Sequence, residues 1–315
     1  MSFIDKYLPW RQMKALGILG MNKRNGDYIS AYNHRSHYPL VDDKLQTKHL
    51  AVAAGVAVPK LYAIVEVEKQ IADVFEKLQP YNDFVIKPSH GSGGEGILVI
   101  IGRSQNGYRK SSGQIISEQE FEHHISNILS GMYSLGGLPD TALIEQRVEF
   151  DPVFADVSYQ GVPDIRTIIF RGVPVMAMIR LPTRMSDGKA NLHQGAIGVG
   201  IDLKTGKTFS GVWNEELVSQ HPDTGASIVD LKIPNWEQIL YLTAQCYDLV
   251  GLGYIGVDIV LDHNHGPLML EMNARPGLSI QIANRCGLLT RLEKIKAIKD
   301  IPVSIADRIA LAKTL

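Results

Sequence analysis

Phe84-Val85-Ile86-Lys87-Pro88 runs through Ser89-His90 into Gly91-Ser92-Gly93-Gly94-Glu95-Gly96, and Ile97-Leu98-Val99-Ile100-Ile101 follows at once. The glycines match G-x-G-x-x-G, which in a dinucleotide-binding fold must open a helix so that the pyrophosphate meets its N-terminus. The apolar, β-branched run here is a strand pattern instead. No Gly-Lys-Ser/Thr closes the loop, which excludes a Walker loop. The stretch therefore reads as a glycine-rich flap between strands at 84–87 and 96–101. Backbone N–H groups of Gly91, Ser92, Gly93 and Gly94 can fold over phosphate oxygens with no side chain in the way. Lys87, on a rigid strand beside that cradle, suits a triphosphate. A plain glycine turn beside a surface lysine fits the same residues.

A second constellation lies near the C-terminal end. Asp258 falls within an apolar strand at 254–261, and Glu271 and Asn273 end the next strand, across the turn 262–266. Glu271 and Asn273 are two apart and share a face. Asp258 lies opposite them in an antiparallel pair. Carboxylates on an apolar sheet are costly without compensation. A hard, oxygen-loving cation supplies it, and Mg²⁺ suits few protein ligands plus phosphates. The alternative is a pair of edge-strand acids facing water.

Working outward, a helical stripe through Ile4, Leu8, Met13, Leu16 and Leu19 is expected over 1–20, and a polar, irregular connection over 22–40. Asp42-Asp43 opens a helix to about Ala54, with acids at its positive end, Gly55 as C′ residue and Pro59 as stop. Strands are expected at 61–67 and 142–148, and a helix at 68–78. Ser117 and Glu120 form a capping box for a helix to about 130. A hairpin spans 165–179 across Arg171-Gly172, a polar loop covers 181–195, and Asn235 caps a helix ending near Gly251. The tail, 289–315, reads as packed amphipathic helix. Helices and strands mix without strict alternation, so the fold class is α+β.

Composition narrows the function. The 315 residues are 45% hydrophobic and 21% charged, which excludes wholesale disorder. A net charge of −1 gives no pointer to nucleic acid. Residues 1–50 hold eight Lys/Arg against four Asp/Glu; this basic start suits an anionic partner, although a solvated helix face is the simpler reading. Cys246 and Cys286 are isolated, as in a reduced cytoplasmic protein without disulfides or structural zinc. No apolar run nears the ~20 residues that span a bilayer. His123-His124 is expected to be solvated on its helix, and His193 to be structural.

Taken together, these elements resemble the ATP-grasp superfamily, and most closely its RimK-type alpha-L-glutamate ligases. The resemblance runs in order from Asp42 to Leu278. It implies two α+β lobes clasping the nucleotide, with a short helical N-terminal extension in place of a full domain ahead of the first lobe. The expected division is 1–40 for the extension, 41–148 and 149–290 for the lobes, and 291–315 for the tail.

It also assigns residues. Asp42-Asp43-Lys44-Leu45 looks like the helix whose lysine touches the nucleotide. Leu143-Ile144-Glu145-Gln146-Arg147-Val148 looks like the interlobe segment, with Glu145, Gln146 and the Val148 backbone at adenine. Asp164-Ile165-Arg166 resembles the family's Asp-Ile-Arg, with Asp164 near the nucleotide and Arg166 near the transferred phosphate. Asn191-Leu192-His193-Gln194-Gly195 resembles a loop of the glutamate-ligase branch, which implies Lys189 and Asn191 near phosphate. Asp258, Glu271 and Asn273 match the metal ligands. Arg275 stands where the glutamate ligases have a small residue; it suits the acceptor carboxylate, or a salt bridge with a nearby acid. The stretch 150–163 is longer than usual.

The activity so implied is ATP-dependent joining of a carboxylate to an amine through an acylphosphate, with Mg²⁺ (or Mn²⁺) and ATP. The expected substrates are an amino acid such as glutamate and a peptide or protein acceptor. A sugar or cell-envelope precursor is the alternative acceptor, since a sugar-polymer-associated ATP-grasp group also has a short N-terminus. A silent nucleotide-binding regulator is the rival of another class. A homo-oligomer or partner protein completing the acceptor site is also expected.

Overall fold

The computed structural model describes residues 9–91, 93–134 and 136–315. Helix α1 (Pro9–Ala15) represents the first expected helix; Ile4 and Leu8 lie outside the described residues. The polar connection expected over 22–40 is instead mostly helical. An α-turn at Met21–Lys23 runs into a π-helix at Arg24–Ser30, then a 3₁₀ turn at Arg35–His37 and a helical turn at Pro39–Asp42. Tertiary packing overrides the polar composition here. Tyr28 and Ile29 are buried, and the Tyr28 ring meets Phe170 edge-on at 5.4 Å. Asn33 locks the segment down: its amide donates to Tyr254 O at 2.7 Å and its Oδ1 accepts from Tyr254 N at 2.8 Å.

Helix α2 (Lys44–Ala53) follows its Asp43 cap. The first sheet is six-stranded and antiparallel, in the order β1-β6-β2-β3-β4-β5. Its strands are β1 (Leu61–Val65), β2 (Phe84–Pro88), β3 (Leu98–Ser104), β4 (Gly107–Lys110), β5 (Ile115–Ile116) and β6 (Ala142–Glu145). Helices α3 (Ile71–Leu78) and α4 (Glu118–Leu129) cover one face, packing Val74, Leu78, Phe121 and Ile125 against Phe84, Ile86 and Ile144. The Ser117–Glu120 capping box of α4 forms as expected.

The second sheet has seven antiparallel strands in the order β11-β10-β9-β8-β7-β12-β13. They are β7 (Asp164–Phe170), β8 (Val173–Leu181), β9 (Ile197–Ile201), β10 (Thr208–Trp213), β11 (Glu216–Val218), β12 (Tyr254–Asp262) and β13 (Gly266–Asn273). Strands β4, β5 and β9 to β11 extend both sheets beyond the sequence expectation.

Helix α5 (Trp236–Val250) packs Ile239, Leu240 and Ala244 against Ile255, Val257, Ile259 and Leu261 of β12. Asn235 is at its N-cap position but is left-handed and makes no side-chain cap, so that expectation fails. The Trp236 indole instead donates to Leu203 O at 2.9 Å. The opposite face packs Phe170, Met176 and Met178 against α6 (Ile280–Asn284), α7 (Leu289–Ala297) and α8 (Ile305–Ala312). Each buried aliphatic side chain contributes about 1.5–3 kcal/mol. Gly200 lets α6 lie on the sheet: a Cβ there would be 2.8 Å from Ala283 O. Val41, Ala51 and Val56, around α2, belong to this second core. No helix among the described residues is long and apolar enough to cross a membrane.

Candidate active site

Strand β12 is buried throughout, so its two carboxylates, Asp258 and the terminal Asp262, must be compensated. Its odd-numbered side chains from Ile255 to Leu261 enter the core beneath α5. Asp258 therefore projects from the other face. Register places Asp258 opposite Arg166 of β7 on one side and opposite Glu271 of β13 on the other. A bulge in β13 between Met269 and Glu271 puts Glu271, rather than Leu270, across from Asp258. Asn273 lies opposite Gly256. The expected trio thus shares one face.

The ion network there is larger than expected. Arg166 grips Asp258 through both Nε, at 2.6 Å, and a terminal nitrogen. The same arginine is 3.8 Å from Glu271. Arg180 of β8 forks onto Asp164 and reaches Asp258 at 2.9 Å. Burial works against the Asp258 charge, but Arg166 and Arg180 outweigh it and hold its carboxyl far below the usual range. Burial, with Asp258 nearby, pushes Asp164 up to about 7 despite Arg180. Glu271 is also raised, first by loss of water and then by Asp258.

On the first lobe, Asp43 fixes the start of α2. Its Oδ1 accepts from Leu45 N at 2.9 Å and from Ser89 Oγ at 2.6 Å, stitching α2 to the end of β2. Lys44 is thereby aimed at the base of the flap, with its ammonium on Gly91 O at 2.5 Å. Burial lowers its pKa, and Glu271 is the largest opposing influence. Lys87 is buried and ion-paired with Glu145, which also holds Lys48 at 2.5 Å. Glu145 is the hub of a buried ion triplet, and its charge is kept by the two ammoniums against the cost of burial.

Gly93, Gly94 and Gly96 of the flap all have positive φ, the conformation that favours glycine. Ser92 lies outside the described residues. His90 anchors the incoming arm, its backbone N–H and ring both reaching buried Asp140. His124 was expected in solvent. It is instead partly buried, with Nε2 3.0 Å from Gly96 O at the outgoing arm. Lys189 approaches the flap from the 181–195 loop: its Cδ is 3.9 Å from where a Gly94 Cβ would be. Asn191 turns its Oδ1 onto His193 N at 3.0 Å.

Gln146 bridges the lobes. Its side chain accepts from Lys60 N and lies 3.1 Å from His265. Val148 packs with Val260 and Leu268. Arg275 is exposed and stacks over Tyr38 at 4.9 Å, with no salt bridge to an acid among the described residues. Its backbone N–H donates to Asn273 Oδ1 at 2.8 Å.

The structure thus brings Asp164, Arg166, Asp258, Glu271 and Asn273 onto one sheet face, adds Arg180 to them, and adds Lys48 of α2 to Glu145 in the first lobe; the sequence reading missed both. The donor set fits a hard cation. Asp258, Glu271 and the Asn273 amide are all oxygen ligands, and Glu271 is a carboxyl whose charge lacks full compensation. Among the described residues there is no group of three or more His, Cys, Asp or Glu with metal-holding geometry.

Similar solved structures include the ATP-grasp ligase PsnB complexed with minimal precursor, at 13% identity and TM-score 0.45, with 84% of this chain and 63% of that chain covered. The D-alanine-D-alanine ligase from Coxiella burnetii is similar at 13% identity and TM-score 0.47, covering 90% and 61%. D-cycloserine synthetase DcsG follows at 14% identity and TM-score 0.46, covering 82% and 70%. The chain thus spans about three fifths of the length of the first two. No curated protein sequence matches it. A family model described as sugar-transfer associated ATP-grasp matches residues 23–297. Most of the chain is covered by that match, including both sheets and the flap, and the protein belongs to the sugar-transfer associated ATP-grasp family.

Proposed function

We propose that this protein is an ATP-dependent carboxylate–amine ligase. The carrying observation is the facing of two arginines and two carboxylates on the second sheet with a glycine flap and Lys44 from the first lobe. That pairing suits phosphoryl transfer, which needs positioning and charge neutralisation more than covalent help. In this reading ATP lies between lobes 41–148 and 149–290. Gly91 to Gly94 and Lys44 cradle its phosphates, with Lys87, Lys189 and Asn191 nearby. Glu145, Gln146, Val148 and Asp164 border the nucleotide. Asp258, Glu271 and Asn273 would hold Mg²⁺, which would supply positive charge to the phosphates.

The substrate carboxylate attacks the γ-phosphorus, and ADP leaves with the β–γ bridging oxygen. Arg166 balances charge on the transferring group. The amine then attacks the acyl carbon and phosphate departs, leaving an amide. Flap closure keeps water from the acylphosphate.

The Asn191–Gly195 loop supports glutamate as the added residue, by its likeness to RimK-type ligases. The family's description favours the second reading, in which the acceptor is a sugar or cell-envelope precursor. Consumption of ATP suits the cytoplasm. The test is ADP release by the purified protein with Mg-ATP and pooled amino acids, small carboxylates and amino sugars, with mass spectrometry for a new amide. Pool-dependent ADP and an amide mass are expected, both lost in Glu271→Ala. ADP release that ignores every pool and the Glu271 substitution would sink the reading.

A further inference from the structure

We propose that a pocket between the N-terminal helical segment and the 273–276 loop binds a phosphate or diphosphate group on the acceptor substrate, an inference that rests on the ligase reading above. The pocket is a cavity of about 300 Å³ whose lining includes Arg24, Asn25, Ser30, Arg35, Tyr38 and Arg275. None of the residues assigned to the nucleotide lines it.

The charge in this pocket is one-sided. Among the described residues no carboxylate lines it, and none of its three arginines makes an ion pair with an acid. Arg24 gives its donors to neutral oxygens, Pro276 O at 2.8 Å and Asn25 Oδ1 at 2.8 and 3.0 Å. Arg275 lies over the Tyr38 ring, which leaves its in-plane N–H groups to face a ligand. Asp27, the acid closest in sequence to Arg24, is held by Lys23 at 2.6 Å. Three guanidiniums in so small a space repel one another unless an anion joins them.

The number of arginines selects the anion. One guanidinium fork satisfies one carboxylate. Three guanidinium charges, with Arg24 spending its Nε–Nη2 fork on Asn25 and only the forks of Arg35 and Arg275 left to grip, match a group with several oxygens and about −2 or more charge, which is a phosphate or diphosphate. The walls are held in place. The buried Asn33 amide donates to Tyr254 O and to Ala274 O, so the helical segment is fixed to the loop. That loop continues β13 past the proposed metal ligands, and the Arg275 N–H bonds Asn273 Oδ1. The pocket wall thus joins, through Arg275, the end of the strand that carries Glu271 and Asn273. The basic surplus of the first 50 residues thereby gains a use.

Calorimetric titration of the full chain tests this, with Mg-ADP saturating the nucleotide site and Mg²⁺ in excess. The probes are pyrophosphate, inorganic phosphate and succinate. We expect pyrophosphate to bind, phosphate more weakly and succinate weakest. Arg35→Ala and Arg24→Gln should each weaken pyrophosphate by about tenfold or more, while Arg103→Ala, on the other lobe, leaves it unchanged. Arg35 is exposed, so its loss spares the fold. Three results overturn the pocket: no pyrophosphate binding beside ADP; binding lost in Lys87→Ala but kept in Arg35→Ala, which marks the γ-phosphate position; and succinate binding as well as pyrophosphate. Arg35-dependent pyrophosphate binding in a protein that fails to bind ADP overturns the ligase reading alone.

Discussion

Arg166 and Asp258 are direct cross-strand partners, and the guanidinium holds the carboxylate through two donors while Arg180 reaches the same carboxylate from β8. Asp258 is therefore neutralised from within the sheet, and Asp164 depends on Arg180 in turn. Removing one partner from such a buried network leaves a stranded charge. Arg180→Met should cost about 3 kcal/mol of stability by urea unfolding. Asp164→Asn made with it should recover part of that loss. Additive costs in the double-mutant cycle would show that the two side chains do not act as a pair.

Glu271 supplies a pH signature. Its carboxyl is raised above its ordinary 4.5 by loss of water and by Asp258, so the folded state prefers it protonated. A group with a raised carboxyl pKa supports folding at acid pH and loses that support as pH rises through the folded value. In metal-free buffer Glu271→Gln should therefore match the parent in melting temperature below about pH 4.5 and exceed it at neutral pH. Mg²⁺ reverses the sign, because it needs the ionised form. Parent protein should release protons on binding Mg-ADP in acid buffers, and Glu271→Gln should not. Equal proton release in both would remove Glu271 from the cation site.

The flap and the metal trio were legible because both rest on spacing within one strand pair. Gly91 to Gly96 followed by a β-branched run excluded a helix, and Glu271 and Asn273 share a face by period alone. Arg180 was illegible for a definite reason. With a plain two-residue turn at Arg171-Gly172, Ile179 would face Asp164. A bulge at Val175 shifts the register by one, so Arg180 takes that place. Lys48 was missed because its partner Glu145 lies 97 positions away, in another element. The 22–40 segment misled because its buried face is carried partly by the polar Asn33 and the phenol Tyr28, so composition hides the i, i+4 spacing of Ile29 and Asn33.

The Lys48–Glu145–Lys87 triplet separates stability from binding. Lys87→Ala leaves the Glu145–Lys48 pair intact, so folding should suffer little while ADP affinity falls about tenfold. Glu145→Ala strands two buried ammoniums and should cost about 3 kcal/mol, more than losing either lysine. Urea unfolding and ADP calorimetry on Lys87→Ala, Lys48→Ala and Glu145→Ala check this. A Glu145→Ala protein as stable as Lys87→Ala would mean that the triplet is not a unit.

The flap distinguishes backbone strain from crowding. Gly93 has φ +66 and open space where an alanine methyl would stand, whereas Gly96 has φ +72 and would place a Cβ 2.6 Å from the Tyr133 ring. Gly93→Ala should therefore show only the left-handed backbone cost, about 1 kcal/mol. Gly96→Ala must also push Tyr133 aside, and that ring lies beside His124, which bonds Gly96 O. We expect the second variant to loosen the outgoing arm. Water then reaches the acylphosphate, so ADP release should rise relative to amide formed, while Gly93→Ala keeps the two nearly matched. The ratio of ADP to amide measures this directly. Equal ratios in both variants would mean that contact of Tyr133 and His124 with the flap base plays no part in excluding water.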